Sequence, residues 1–333
     1  MKLRVRLDDL KRVLDEETEE TVCPIDGPYE DLAELLAKTD EVPKNTLPEN
    51  DTEENKVPEK YMAYKDTVRT VSYDQQEILH NILELYSIPE ITADITYSCG
   101  NFYNTIDGDR FTDPEEEAKR EKKRKTYANA KYRVPQPKHK FDIYPQTEMT
   151  VKIDKLSPIP MPDSSCRCVV YDPPFIISPN EAPSAKNPKE GSNIIQKRFS
   201  SFYPVAELLD TYHFHMSELY RMTEDGGYVI VKTQPTVTGG KQLNSPEYLW
   251  LVGESLGFDM LDKFVLVANN RVIGKVKSQQ HARRFESYFL VFRKSVKKKT
   301  KYLSFGTEEK MRGILEGFFE HNYNAKGENY KPK

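Results

Sequence analysis

The run "CVVYDPPF", Cys168 to Phe175, carries an acid, two prolines and an aromatic ring at the end of an apolar stretch. The carboxylate of Asp172 and the backbone carbonyl of Pro173 are two hydrogen-bond acceptors. The fixed φ of the paired prolines, Pro173 and Pro174, holds the second acceptor stiffly in place. The ring of Phe175 offers a stacking face. These parts suit one kind of chemistry. The exocyclic amine of a nucleobase is a poor nucleophile because its lone pair is delocalised into the ring. Acceptors for its two hydrogens let the nitrogen become more tetrahedral as it attacks a methyl sulfonium. The plainer reading of the same residues is a proline turn after a strand, with Asp172 as its cap.

More candidates stand upstream. "ADITYSCGNFY" reads as a strand carrying Asp94, followed by Thr96 and a tight Ser98-Cys99-Gly100 turn. Small residues at Ser98 and Gly100 let a backbone approach a methionine-like group closely. Asp142, in "KFDIYP", ends the next strand and is placed to accept ribose hydroxyls. Asp154, after "MTVKI", is placed to accept from an adenine amine. Each acid alone is ordinary. Three of them at the ends of three consecutive strands, ahead of Asp172, form a pattern. No G-x-G-x-x-G follows the first strand, which sets a dehydrogenase aside.

The elements that must position these residues follow from periodicity. "SYDQQEILHNILELYSI" places Ile78, Leu79, Ile82, Leu83 and Leu85 at helical spacing. "KRKTYANAKYRVPQPKHK" reads as a basic loop, and "CRCVVYD" as a buried strand with Cys166 and Cys168 on one face. "PVAELLDTYHFHMSELYRMTEDGG" reads as a helix stopped by Gly226-Gly227, and "YVIVKTQ" as a strand. "SPEYLWLVGESLGF" reads as a helix capped by Ser245 with Pro246 in its first turn. "DMLDKFVLVA" and "SYFLVFRK" read as strands paired antiparallel at one edge, and "GTEEKMRGILEGFFEHN" as a last helix. Strands alternating with helices predict an α/β fold: a Rossmann-like, mainly parallel sheet with helices on both faces and a C-terminal antiparallel hairpin. Ligands bind such sheets beyond the carboxyl ends of the strands.

The DPPF block after "CVVY" resembles the [DNS]-PP-[FYW] motif of the amino-methyltransferases that modify adenine N6 or cytosine N4. "ADITYSCGNFY", "DKLSPIPMPDSSCRCVVYDPPF", "YVIVKTQPTVTGGKQ" and "QQHARRFESYFLVFRK" look like successive blocks of small bacterial and phage DNA-methylase-like proteins, over about residues 72–294. Ser98 stands where the family has a glycine-type residue, and a long Lys/Arg-rich segment (117–140) separates the first two strands. The resemblance implies S-adenosyl-L-methionine as cofactor, held by Asp94, Thr96, Ser98, Gly100, Asp142 and Asp154. It implies catalysis at Asp172, Pro173, Pro174 and Phe175, double-stranded DNA as partner, and the cytoplasm of a bacterial or phage-infected cell. An RNA base amine, and a binding or assembly protein that has lost the reaction, are the alternatives.

Composition limits the rest. The 333 residues carry a formal net charge of −4, so no global basic field points to nucleic acid. Residues 1–60 are acidic and end in a proline-punctuated linker; 61–296 hold the sheet; 297–333 form a basic extension with one helix. The polar segment after Phe175 reads as a lid with Lys197 and Arg198 near phosphates, or as a surface loop. Lys241, in the glycine loop after "YVIVKTQ", and His281, Arg283 and Arg284, before the last strand, are further phosphate candidates. The four cysteines lack zinc spacing, and His213 and His215 diverge on a helix, so no metal is expected. No stretch approaches the roughly 18 apolar residues of a membrane helix.

Overall fold

The computed structural model describes residues 67–175, 177, 205–238, 241–268, 282, 284–295 and 305–320. The chain divides into two compact units, Met1–Lys65 and Asp66–Lys333. The acidic segment and linker of residues 1–60, and the candidates Lys197, Arg198, His281 and Arg283, lie outside the described residues.

Strand β1 (Val71–Ser72) leads into helix α1 (Gln75–Leu85). Asp74 caps that helix by accepting from the backbone N–H groups of Gln76 and Glu77, and Ile78, Leu79, Ile82 and Leu83 form its buried stripe. Then come β2 (Ala93–Asp94), α2 (Pro114–Tyr127), β3 (His139–Asp142), β4 (Val151–Lys152) and β5 (Cys166–Tyr171). Helix α3 (Val205–Met222) precedes β6 (Thr223–Thr233), and β7 (Thr236–Thr238) with β8 (Lys241–Leu243) makes a separate two-stranded sheet. Helix α4 (Ser245–Leu256), β9 (Phe258–Val267), β10 (Glu286–Lys294) and α5 (Phe305–Glu320) follow.

The eight-stranded sheet has the order β1-β9-β10-β6-β5-β2-β3-β4. Strand β10 is antiparallel to both its neighbours, β6 and β9, while the other pairs are parallel. This is the Rossmann-like, mainly parallel sheet with a C-terminal antiparallel pair expected from the sequence. Its antiparallel pair is not the edge, because β1 pairs outside β9. Two apolar clusters cover the two faces: residues of α3, α4 and α5 pack with Val169, Tyr171, Val229 and Val231, and residues of α1 pack with Cys168, Val170, Tyr228 and Ile230. The period-two alternation along β5 and β6 explains the division.

Four local expectations are corrected. The first five residues of the basic segment read as a loop (123–127) instead end helix α2, which has Pro114 in its first turn, Asp113 as cap, Glu115, Glu116 and Glu117 at its start, and Arg124 and Lys125 at its end. It buries Arg120 and Arg124 rather than apolar residues. Gly226 and Gly227 do not stop α3, which ends at Met222; they lie in β6, where the register with β5 shifts between Cys166 and Cys168. Gly226 has φ +77°, as a bulge requires. That same irregularity sends Cys166 and Cys168 to opposite faces, each fully buried as a free thiol. Asn244 rather than Ser245 occupies the cap position of α4, and Ser245 begins the helix.

Candidate functional site

The order of the sheet reverses between β2 and β5: β3 and β4 continue to one side, β6 and β10 to the other. A crevice forms at such a switch point beyond the carboxyl ends of the strands. A cavity of about 250 Å³ lies there, its wall including Thr96, Ser98, Asp142, Asp172, Pro174 and Lys232. Helix α1 contributes Gln75, and the segments after β3 and β4 contribute Tyr144 and Lys155.

Asp94 ends β2 and is 1 % exposed. Its carboxylate accepts from the Thr96 backbone N–H at 2.8 Å and from the Tyr103 hydroxyl at 2.6 Å. Burial pushes its pKa up to about 7, against the lowering effect of those two hydrogen bonds. Asp94 therefore braces the turn from behind and is absent from the cavity wall. Thr96 links the two halves of the site. Its hydroxyl donates to Asp94 at 3.3 Å and accepts from the Asp172 backbone N–H at 2.6 Å.

Ser98 has φ +48°, so the position that the resemblance assigns to glycine keeps a glycine-like, left-handed backbone. Its N–H donates to Asp142 Oδ2 at 2.8 Å, and the Tyr144 N–H donates to Asp142 Oδ1 at 2.7 Å. Two backbone donors leave lone pairs of Asp142 free for a ligand. Burial raises the Asp142 pKa to about 6. Gly100 has φ +61°, and a Cβ there would lie 2.5 Å from the Tyr97 hydroxyl. The space it leaves is filled by Tyr97, so Gly100 shapes the turn from below. Asp154 is exposed and outside the cavity wall.

Asp172 leaves β5 half-buried, with 27 % of its side chain exposed. Burial raises its pKa, and the nearby Lys232 ammonium, 3.8 Å from Oδ2, works in the opposite direction. Pro173 is buried and Pro174 lines the cavity. The Tyr212 hydroxyl of α3 donates to the Pro174 carbonyl at 2.8 Å and pins the turn. Phe175 is partly buried, and its carbonyl lies 3.5 Å from the Thr236 hydroxyl at the start of the β7–β8 hairpin.

Sequence reading missed Lys232, Gln75, Tyr144 and Lys155. Lys232 is placed by the β5–β6 register. Tyr171 of β5 is in register with Val231 of β6, so the residues that follow each, Asp172 and Lys232, stand side by side. Asn101 is held by two amides at once, since Gln75 Nε2 and Gln76 Nε2 donate to its carbonyl at 2.9 and 2.8 Å. The long basic segment turns out to support the turn: Arg120 Nη1 donates to the Cys99 carbonyl at 3.0 Å. Of the phosphate candidates, Arg284 bonds the Gln242 side chain of β8, and the backbone of Lys241 begins β8. His213 pairs with Glu308 at 3.6 Å, while His215 Nδ1 meets the Tyr171 hydroxyl at 3.0 Å, so the two rings do diverge. Among the described residues no helix is long and apolar enough to cross a membrane.

No protein-family profile matches the sequence, and no curated protein matches it. Solved structures do. A Thermus thermophilus protein named as a DNA modification methylase, solved with S-adenosyl-L-methionine, is 16 % identical over 42 % of this chain and 52 % of its own, with TM-score 0.29. This chain thus spans about half the length of that protein. A SAM-dependent methyltransferase of Methanosarcina mazei is 10 % identical over 65 % of this chain and 98 % of its own, with TM-score 0.33. A SAM-dependent methyltransferase of Archaeoglobus fulgidus is 16 % identical over 66 % and 94 %, with TM-score 0.29.

Proposed function

We propose that this chain is an S-adenosyl-L-methionine-dependent methyltransferase acting on the exocyclic amine of a nucleic-acid base, DNA adenine N6 ahead of cytosine N4. One observation carries the reading: Asp172 and Pro174 share a single cavity with Ser98 and Asp142, at the point where the strand order reverses. The residues present fit the cofactor. Asp142 retains acceptor capacity for ribose hydroxyls after its two backbone donors are counted. The left-handed Ser98 turn brings backbone to the cavity wall where a methionine group would lie, and Ile143 and Tyr144 offer apolar surface for an adenine. When bound, S-adenosyl-L-methionine supplies an electrophilic methyl group.

The chain's own residues would do the rest. Asp172 accepts from the target amine, the Pro173 carbonyl is the second acceptor, and Phe175 supports the extruded base. Thr96 and Tyr212 hold that turn in place from opposite sides through the Asp172 N–H and the Pro174 carbonyl. The test is methyl transfer from labelled S-adenosyl-L-methionine to unmodified duplex DNA and to RNA, followed by mass spectrometry of the nucleosides. Methylated adenine in DNA is the expected product. Asp172→Ala should bind cofactor normally by calorimetry and lose at least roughly 100-fold in turnover, the scale of one oriented polar group in a transition state. Retained turnover in that variant sinks the mechanism, and absence of both transfer and cofactor binding sinks the enzyme.

A further inference from the structure

Lys232 has no part in the chemistry outlined above, yet it lines the same cavity. Its ammonium stands 3.8 Å from Asp172 Oδ2, 4.8 Å from the centre of the Phe102 ring and 5.9 Å from that of Phe289. A lysine with 20 % of its side chain exposed has lost much of its hydration, and two aromatic faces with one carboxylate replace it. Phe102 is 7 % exposed and Phe289 fully buried, so the rings are fixed by the core and limit where the ammonium can sit. We propose that Lys232 is the positioning residue of this site: clamped over Phe102 and Phe289, it keeps the Asp172 carboxylate charged and turned toward the cavity, ready to accept a base amine. The proposal rests on the methyltransferase reading for its meaning, but not for its measurement.

The surroundings of Asp172 show why a cation is needed. On β5 itself its neighbour is the buried Tyr171. Helix α3 presents Tyr212, fully buried with its hydroxyl on Pro174. The β2 end presents Asp94, whose carboxylate and that of Asp172 repel one another, and the β3 end presents Asp142 in the same cavity wall. Lys155 lies across the cavity and pairs with Glu207 at 3.1 Å. Three carboxylates therefore converge where burial already favours their neutral forms, and a protonated Asp172 would be a donor at one oxygen, not the acceptor the amine requires. Among the described residues, Lys232 is the cation set against Asp172 itself.

The signs follow. Burial raises the Asp172 pKa and Lys232 lowers it, so removing the ammonium raises it further. The ionised form, and with it turnover, is then lost at a higher pH as acid is added. The experiment uses full-length protein with Lys232→Met, which keeps the stem on Phe102, and Lys232→Arg, which keeps the charge. The carboxyl titration of Asp172 is followed by NMR of protein labelled with ¹³C at the aspartate carboxyl, its signal assigned by its loss in Asp172→Asn. Turnover is measured across the same pH range, and cofactor affinity is measured by calorimetry.

In Lys232→Met the Asp172 titration and the acid limb of turnover should both move up by at least one pH unit. Turnover on the acid side should fall about tenfold per unit, with cofactor affinity unchanged and Lys232→Arg restoring both curves. An unmoved Asp172 titration in Lys232→Met overturns the proposal, and so does a shift that Lys232→Arg leaves in place. If no base is methylated at all, the titration still decides the role of Lys232, so the two readings fail separately.

Discussion

Asp94 does its work behind the cavity wall, and Thr96 carries its hold into that wall. A single hydroxyl joins the carboxylate at the end of β2 to the backbone that launches the Asp172 turn, so the two halves of the cavity cannot shift independently. The buried carboxylate makes stability depend on pH. With its pKa raised to about 7, Asp94 holds a proton in the folded protein over a range in which the unfolded chain has lost it. The folded state then binds more protons, and stability falls as pH rises. This contribution is complete below the ordinary carboxylate range and is lost as pH rises through about 7. Asp142, raised to about 6, acts in the same direction. Asp94→Asn can accept from the Thr96 N–H and donate to the Tyr103 hydroxyl, so it should fold. In urea titrations of ligand-free protein between pH 4 and 8, the variant should show a flatter decline, the difference reaching at most about 4 kcal/mol. Parallel pH curves for both proteins would locate that proton elsewhere.

Among the elements, legibility tracked how local the cause was. Helix α1 was readable because its cap and its apolar stripe lie within one stretch of chain. Strand β5 was readable as an apolar run, but its faces were not, since the shift opposite Cys166 and Cys168 is set by residues 223–228 of β6. Helix α2 was missed because apolar periodicity is blind to a helix that buries arginines. Its capping signals, Asp113, Pro114 and the acidic first turn, were present and outweighed by the basic run behind them. The Gly226-Gly227 pair was read as a helix stop because glycine serves helix ends and bulges alike. The structure separates the two roles. A Cβ on Gly227 would lie 2.9 Å from the Glu224 carbonyl oxygen and 3.0 Å from that of Arg167, both backbone atoms that cannot swing aside. Gly227→Ala should therefore destabilise the protein by about 1–3 kcal/mol in thermal or urea unfolding, as overpacking does. The candidate site divides likewise: Asp172, Ser98 and Asp142 were legible as residues at strand ends, whereas Lys232 required the β5–β6 register.

At the scale of the whole molecule, the described residues that line the cavity belong to Asp66–Lys333, one of the two compact units. A fragment beginning at residue 66 should unfold in one cooperative transition and, on the proposed reading, match the full chain in its affinity for S-adenosyl-L-methionine. Loss of cooperativity would show that the sheet depends on residues 1–65. The sheet's two edges give this prediction a sharper form. Strands β1 and β4 are only two residues long, and each offers a neighbouring chain too short a row of free N–H and C=O groups to dock on. Behind β1 lies β9, ten residues long. Strand β1 pairs with β9 at Val265 and Leu266 alone, so among the described residues it covers the carboxyl end of that strand and leaves Phe258–Phe264 without a strand partner on that side. A fragment that starts after Ser72 should keep its fold and uncover those two positions as well, aggregating at lower concentrations than the fragment from residue 66.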